Sequence, residues 1–330
     1  MNTLAVGVIG VGHLGSLHAK MLSEIPEVRL AGVVDTDAER AAAAAALFRT
    51  TAFPTLDELF ACVDAVTIAT PTSLHHAVGT RALEAGKHLF LEKPITETVA
   101  EAEDLCRCAA SRGLTIQVGH IERFNPAILA LEPYKLNPMF VESHRLAQFN
   151  PRGTDVAVVL DLMIHDIDLI LSFVKSPVKQ VDASGIAVVS DSVDIANARL
   201  QFVNGCVANV TASRISQKKM RKMRLFQPNG YISIDFSQGI AEVFRLATDN
   251  DPETESTLML GELGSGKHKR KIVYEQPEVH EVNALRYELE LFARCVREGK
   301  PPVVSGEDGR RALEVASIIM KKIAEQHFSF

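Results

Sequence analysis

Along the first 119 residues, apolar positions follow two alternating rhythms. Short, β-branched, largely apolar runs similar to Leu4-Ala-Val-Gly-Val-Ile9 recur at 28–34, 63–69, 87–91 and 115–118. Apolar runs of this length suit strands covered on both faces. Between them, at about 16–24, 37–48, 73–85 and 97–112, the spacing is helical. The alanine run 41–46 falls in one of these stretches and is strongly helix-forming. Strands alternating with helices predict βαβ units and a parallel sheet, as far as about Gly119.

Beyond Gly119 the rhythm changes. A long helical stretch at about 156–173 comes first. Strand-like runs then follow at about 178–189, 195–203, 206–213, 221–227, 230–235, 240–247 and 271–275. Asn204-Gly205 and Pro228-Asn229-Gly230 separate several of them, and such turns favour hairpins and antiparallel pairing. The polar stretch 249–270 reads as a surface loop, and helices near 280–298 and 306–326 close the chain. The expected fold is therefore α/β. A Rossmann domain with a parallel sheet (1–122) precedes an α+β domain with a large, mostly antiparallel open sheet (123–330).

Composition narrows the function. A net charge of −6 argues against a nucleic-acid-binding footprint, which needs a basic excess. The five cysteines, Cys62, Cys106, Cys108, Cys206 and Cys295, are odd in number and form no CxxC pair. They read as free thiols of a cytoplasmic protein with no signal peptide. The most apolar long stretch, 155–174, carries Asp155, Asp161, His165, Asp166 and Asp168, too many polar groups for a membrane span.

Gly10-Val-Gly12-His13-Leu14-Gly15 matches G-x-G-x-x-G between a strand and a helix, the context that motif requires. Gly10 permits the turn, Gly12 admits a pyrophosphate and Gly15 lets helix and strand approach. The helix N-terminus, with His13 and Leu14 in its first turn, then faces the phosphates. Asp35 ends the second strand, 20 residues past Gly15, placed to accept from the adenosine ribose and to repel a 2′-phosphate. NAD is the expected cofactor, with Arg40 near its adenine. A Walker-like stretch, Gly261-Glu-Leu-Gly-Ser-Gly266-Lys267, is followed by His268 where a Ser or Thr would hold magnesium, and reads as loop.

Two further segments carry candidate chemistry. Glu92-Lys93-Pro94 follows the fourth strand-like run, where strand ends face the cofactor crevice. A lysine there suits stabilisation of an alkoxide, and Pro94 is open to the cis form. Taken alone, Glu-Lys-Pro is also common surface sequence. In the helix at 156–173, Asp161, His165 and Asp168 fall at i, i+4 and i+7, on one face of an otherwise apolar helix. His165 suits a general base, with Asp161 orienting it or binding substrate. No metal is expected, since thiol ligands are missing nearby. A core helix with a paired polar stripe is the bland alternative.

The ordered set of the glycine motif, Thr70-Pro71-Thr72 with His75, Glu92-Lys93-Pro94 and Asp161-x-x-x-His165 resembles the GFO/IDH/MocA oxidoreductases over essentially the whole chain. The resemblance implies that Lys93, Asp161 and His165 are catalytic. It also implies that Thr70, Pro71, His75 and Glu92 lie at the nicotinamide side of NAD, and that the reaction interconverts a sugar hydroxyl and a ketone. A narrower likeness rests on Val118-Gly-His-Ile-Glu-Arg-Phe-Asn-Pro126 and Val159-Leu-Asp-Leu-Met-Ile-His-Asp-Ile-Asp168. It points to the bacterial group that oxidises the 3-hydroxyl of UDP-N-acetylglucosamine for lipid A assembly. Arg123, Asn125 and Arg152, with Asp161 and His165, are then candidate substrate contacts. Arg145, Arg214 and the run Lys218, Lys219, Arg221, Lys222 and Arg224 could clamp a diphosphate or form a solvated edge. A free sugar or inositol as substrate, and a non-catalytic NAD-binding regulator, remain as alternatives. The open sheet suggests a homodimer or homotetramer.

Overall fold

A computed structural model describes residues 3–150, 156–247, 257–263 and 270–326. The chain divides into two compact units: Met1–Ile121 with Asn283–Glu314, and Glu122–Val282 with Val315–Phe330. The first opens with β1 (Leu4–Ile9), α1 (His13–Glu24), β2 (Val28–Val34), α2 (Ala38–Phe48) and a short α3 (Leu56–Phe60). It continues with β3 (Ala65–Ile68), α4 (His75–Glu84), β4 (His88–Glu92), α5 (Val99–Arg112) and β5 (Ile116–Gly119). The strands form a parallel sheet in the order β2-β1-β3-β4-β5. Ala52 adds a parallel bridge to Val33 at the outer edge, completing the Rossmann order with one very short strand. Every residue of β1 is buried, as a strand covered on both faces must be.

The second unit holds α6 (Pro126–Leu129), β6 (Phe140–Leu146), a π-helical turn at Val159–Met163 that runs into α7 (Ile164–Val174), β7 (Val178–Ile186) and β8 (Ile195–Phe202). It continues through β9 (Val207–Ser213), β10 (Met220–Gln227), β11 (Gly230–Asp235), β12 (Ile240–Leu246), β13 (Thr257–Leu263) and β14 (Arg270–Glu275). These strands form one nine-stranded sheet, ordered β13-β14-β12-β11-β10-β6-β9-β8-β7. It is antiparallel except where β6 lies parallel to β9. In β10, Met223 and Leu225 are buried while Lys222, Arg224 and Phe226 are exposed, the period-two signature of a sheet covered on one face. Two expectations are corrected. β6 was not anticipated, and β13 occupies 257–263 of the stretch read as loop. Of the Walker-like stretch, only Gly261–Leu263 lie within the described residues, and they belong to β13.

The chain ends with α8 (Ala284–Glu298) and α9 (Gly306–Glu325). The contiguous division 1–122 and 123–330 is corrected here, because 283–314 belongs to the first unit. The cause is the apolar stripe of α8. Leu289, Phe292, Ala293 and Cys295 are buried in one cluster with Val6, Val8, Leu22 and Phe90, and Phe292 meets Phe90 edge-on at 5.7 Å.

Candidate active site

The glycine turn sits where the strand order reverses, between the ends of β1 and β3. Gly10 has φ +82°, and a Cβ there would lie 3.0 Å from the Ala69 carbonyl. A Cβ on Gly15 would lie 1.8 Å from the Gly10 carbonyl oxygen, so only glycine lets α1 start this close to β1. Gly12 differs: its Cβ would meet nothing within 4 Å. Gly12 caps α1 without a side-chain hydrogen bond, leaving first-turn N–H groups at His13, Leu14 and Gly15 for an anion. The turn borders a groove of about 860 Å³ lined by Val11, Gly12, His13, Ser16, Arg40 and Phe48 among others.

Asp35 is tied into this turn. One carboxylate oxygen accepts from Val11 N–H at 2.8 Å, and the other from Asp37 N–H at 2.9 Å and Arg40 at 3.3 Å. Arg40 is also bonded to Asp37, at 3.1 Å. Two carboxylates thus hold the Arg40 guanidinium beside the groove, an arrangement that disfavours a 2′-phosphate.

The Lys93-Pro94 peptide is cis. Glu92, at the end of β4, is buried, and its Oε1 accepts from His18 Nε2 on α1 at 2.9 Å. Its Oε2 accepts the Lys93 backbone N–H at 3.3 Å. His75 is buried with Nδ1 3.0 Å from the Pro94 carbonyl and Nε2 3.0 Å from the Thr70 carbonyl. It therefore ties the end of β3 to the Lys93-Pro94 turn. Burial pushes its pKa below the ordinary 6.5, against the upward pull of the Thr70, Pro94 and Ile95 backbone and of Glu92. Thr70 is half-buried and Pro71 exposed at the mouth of this segment. His18 was missed in the sequence. Its partner lies 74 residues away, which no local pattern encodes.

In the second unit, Asp161 and His165 both lie on the half-buried side of the helical segment. Asp168 stands three residues past His165 in α7. It is buried, and Arg123 grips it bidentately at 2.6 and 2.7 Å. Asp161 stands in the π turn, whose wider winding rotates it relative to the α-helical residues that follow. The neighbouring Asp166 is held by Arg145 at 2.7 and 3.2 Å. Arg145 also reaches Glu122 at 3.2 Å, and Glu122 pairs with Arg221 as well. Two arginine forks, on Asp166 and Asp168 just after His165, therefore anchor α7.

Several residues of the candidate diphosphate clamp face carboxylates within the second unit. Lys222 faces Asp235 at 3.1 Å and Arg224 faces Glu142 at 3.6 Å, both across neighbouring strands. Arg214 is buried, donating to the Val156 carbonyl and lying 3.9 Å from Asp194. Burial alone would raise the Asp194 carboxyl. The Ser190 hydroxyl and the amides of Val188, Val189 and Ser190 outweigh it and hold the group far below the carboxylate range. Asn125 caps α6 by accepting from Ala127 N–H at 3.1 Å. Lys218 and Lys219 are exposed, and Arg152 lies outside the described residues. Burial pushes the thiols of Cys106, Cys206 and Cys295 up to about 11, which disqualifies them as nucleophiles. Among the described residues, no group of three or more His, Cys, Asp or Glu side chains is arranged for a metal ion. No described helix is long and apolar enough to cross a membrane.

Residues 4–120 match the oxidoreductase family with NAD-binding Rossmann fold, and residues 139–239 match the GFO/IDH/MocA C-terminal domain. The chain belongs to the GFO/IDH/MocA oxidoreductase family. It is 38% identical to the UDP-N-acetylglucosamine 3-dehydrogenase of Acidithiobacillus ferrooxidans, over 98% of both chains. The solved structure of that enzyme superposes with a TM-score of 0.88, covering 98% of this chain and 99% of that one. The myo-inositol 2-dehydrogenase of Thermotoga maritima is 26% identical over 98% of this chain and 97% of its own. The protein is thus an NAD-dependent oxidoreductase acting on CH–OH groups, and the regulator alternative falls. The glycine turn fits that cofactor: Gly12 opens on unfilled space beside an uncapped helix end.

Proposed function

We propose that the protein oxidises the 3-hydroxyl of UDP-N-acetylglucosamine to the ketone, ahead of the transamination that prepares amide-linked lipid A. The observation that carries this reading is the 38% identity maintained over 98% of both chains with an enzyme of that activity. The basic run does not support it, because Arg221, Lys222 and Arg224 are already paired.

Gly10, Gly12, Gly15 and the first turn of α1 hold the cofactor's diphosphate, and Asp35 its adenosine ribose. When bound, NAD supplies a two-electron acceptor at its nicotinamide ring. His165 takes the proton of the substrate hydroxyl, and Asp161 orients the imidazole or the sugar. The Lys93 ammonium donates to the oxygen as negative charge grows on it. The forks from Arg123 and Arg145 hold α7, and with it His165, in register.

The test follows reduced-cofactor absorbance with NAD and UDP-N-acetylglucosamine, beside myo-inositol and glucose, and repeats it at stoichiometric enzyme to catch a tightly held cofactor. Turnover of the nucleotide sugar alone is expected. Lys93→Met should then lose about 10²–10³-fold in kcat with NAD affinity intact. Turnover of inositol in its place would move the protein to the inositol branch of the family.

A further inference from the structure

His18 is fully buried on α1, one turn past the glycine motif, and no step above employs it. Its Nε2 lies 2.9 Å from Glu92 Oε1. An ionised carboxylate only accepts, so Nε2 carries the hydrogen. The other ring nitrogen, Nδ1, is buried and has no hydrogen-bond partner among the described residues. A hydrocarbon side chain would fill this position without that desolvation cost, so packing alone does not account for an imidazole here.

The surroundings fix the ring and the carboxylate it meets. Phe90 meets the His18 ring edge-on at 5.4 Å, and Phe292 backs Phe90. Across the carboxylate stands Gly119, where a Cβ would lie 3.0 Å from the Glu92 carboxyl carbon and both its oxygens. The second Glu92 oxygen holds the Lys93 amide, while His75 holds the Pro94 carbonyl. The backbone that carries Lys93 is therefore pinned from one side by Glu92 and from the other by His75, and Glu92 is itself aimed by His18.

We propose that His18 is a positioning residue for Lys93: it fixes the Glu92 carboxylate, which in turn fixes the backbone from which the Lys93 ammonium projects. The inference rests on the reading that Lys93 acts on the substrate hydroxyl. His18 itself is a positioning and not a catalytic residue, since its contacts are to Glu92 and the Phe90 ring.

Three variants of the full chain test it. His18→Gln places an amide N–H where Nε2 stands. His18→Asn has the same polarity but ends at the Nδ1 position, short of Glu92. His18→Leu keeps the volume with no donor. The primary readout is the rate at which Lys93 is acetylated by trace anhydride, measured by mass spectrometry against the exposed Lys219 and Lys321, with NAD affinity and Tm alongside. We expect Asn and Leu to change Lys93 labelling several-fold, Gln to restore it, and NAD affinity to stay level. Where substrate turns over, kcat should fall about tenfold to a hundredfold in Asn and Leu with KM little changed. Equal Lys93 labelling in the Gln and Asn variants overturns the proposal, even if Leu fails to fold. A parallel loss of Tm and NAD affinity in all three, with Lys93 labelling unmoved, also overturns it and leaves His18 a packing residue. The labelling needs no sugar, so a wild type that turns over no substrate would sink the functional reading while His18 is still decided.

Discussion

His75 is caught between two demands. A neutral imidazole has one N–H to give, yet the carbonyls of Thr70 and Pro94 stand 3.0 Å from its two nitrogens. Protonation would complete both bonds, but burial opposes the charge and wins, lowering the pKa from 6.5. The unfolded chain therefore binds more protons just below pH 6.5, and folding stability rises with pH there. His75 contributes its full share above 6.5, and that share is lost as pH falls through the lowered folded value. Burial lowers the pKa of His88 too, with the same sign. The expected outcome is a Tm that declines on acidification from about pH 6.5. A His75→Asn variant should start lower at pH 8 and decline less steeply; an unchanged slope would remove His75 as a source. The candidate residues Gly12, Asp35, Lys93 and His165 stood out in the sequence because motif spacing and a strand-end or helix-face position mark them. His18 and the Arg123–Asp168 fork were not, since each depends on a partner distant in sequence. Arg123 in particular read as a substrate contact, and its pairing with Asp168 is a feature the sequence does not show.

At the scale of elements, the glycine turn separates folding from binding. In Gly15→Ala the new Cβ would collide with the Gly10 carbonyl oxygen, backbone that has nowhere to move. In Gly12→Ala the new Cβ meets nothing, and φ −64° is an ordinary backbone value. Gly15→Ala should therefore lower Tm sharply, whereas Gly12→Ala should keep the wild-type Tm and lose NAD affinity by calorimetry. Full NAD affinity in Gly12→Ala would place the diphosphate elsewhere. The strands of the first unit were legible because burial on both faces leaves largely apolar runs. β6 was not, and the reason is physical. Its inward residues are Val141, Ser143 and Arg145, so a strand central to the sheet looks polar on both faces. The inward arginine is there to hold Asp166 beside His165, and the site's own requirement erased the strand's signature. The π turn at Val159–Met163 was hidden for a related reason: an apolar run looks the same whether its winding is α or π.

At the scale of the whole molecule, the side of the nine-stranded sheet away from α7 asks what covers it. Phe140, Phe226, Tyr231, Phe244 and Tyr274 form a continuous ladder across β6, β10, β11, β12 and β14, with ring centroids 4.9–5.7 Å apart. None of the five is buried, and exposed Met139 and Leu258 add to the apolar content of this unit. Edge-charged pairs such as Arg224–Glu142 run beside the ladder, so one surface presents both signs and an apolar stripe. An apolar stripe beside charges of both signs is what a contact with a second copy about a two-fold axis, the commonest arrangement of soluble oligomers, would require. A stable contact of this kind needs about 1,000 Å² or more, which a nine-stranded sheet can supply. The ladder should therefore be covered by a second chain in solution, giving a homodimer or a dimer of dimers. Light scattering on the wild type should return a mass of at least two chains. Tyr231→Glu with Phe226→Glu, placed mid-ladder where burial of charge is most costly, should return one chain with NAD affinity unchanged, because the glycine turn belongs to the other unit. A wild type that runs as a single chain would leave the ladder exposed and end the assignment; a charged variant that stays oligomeric would move the interface to another face.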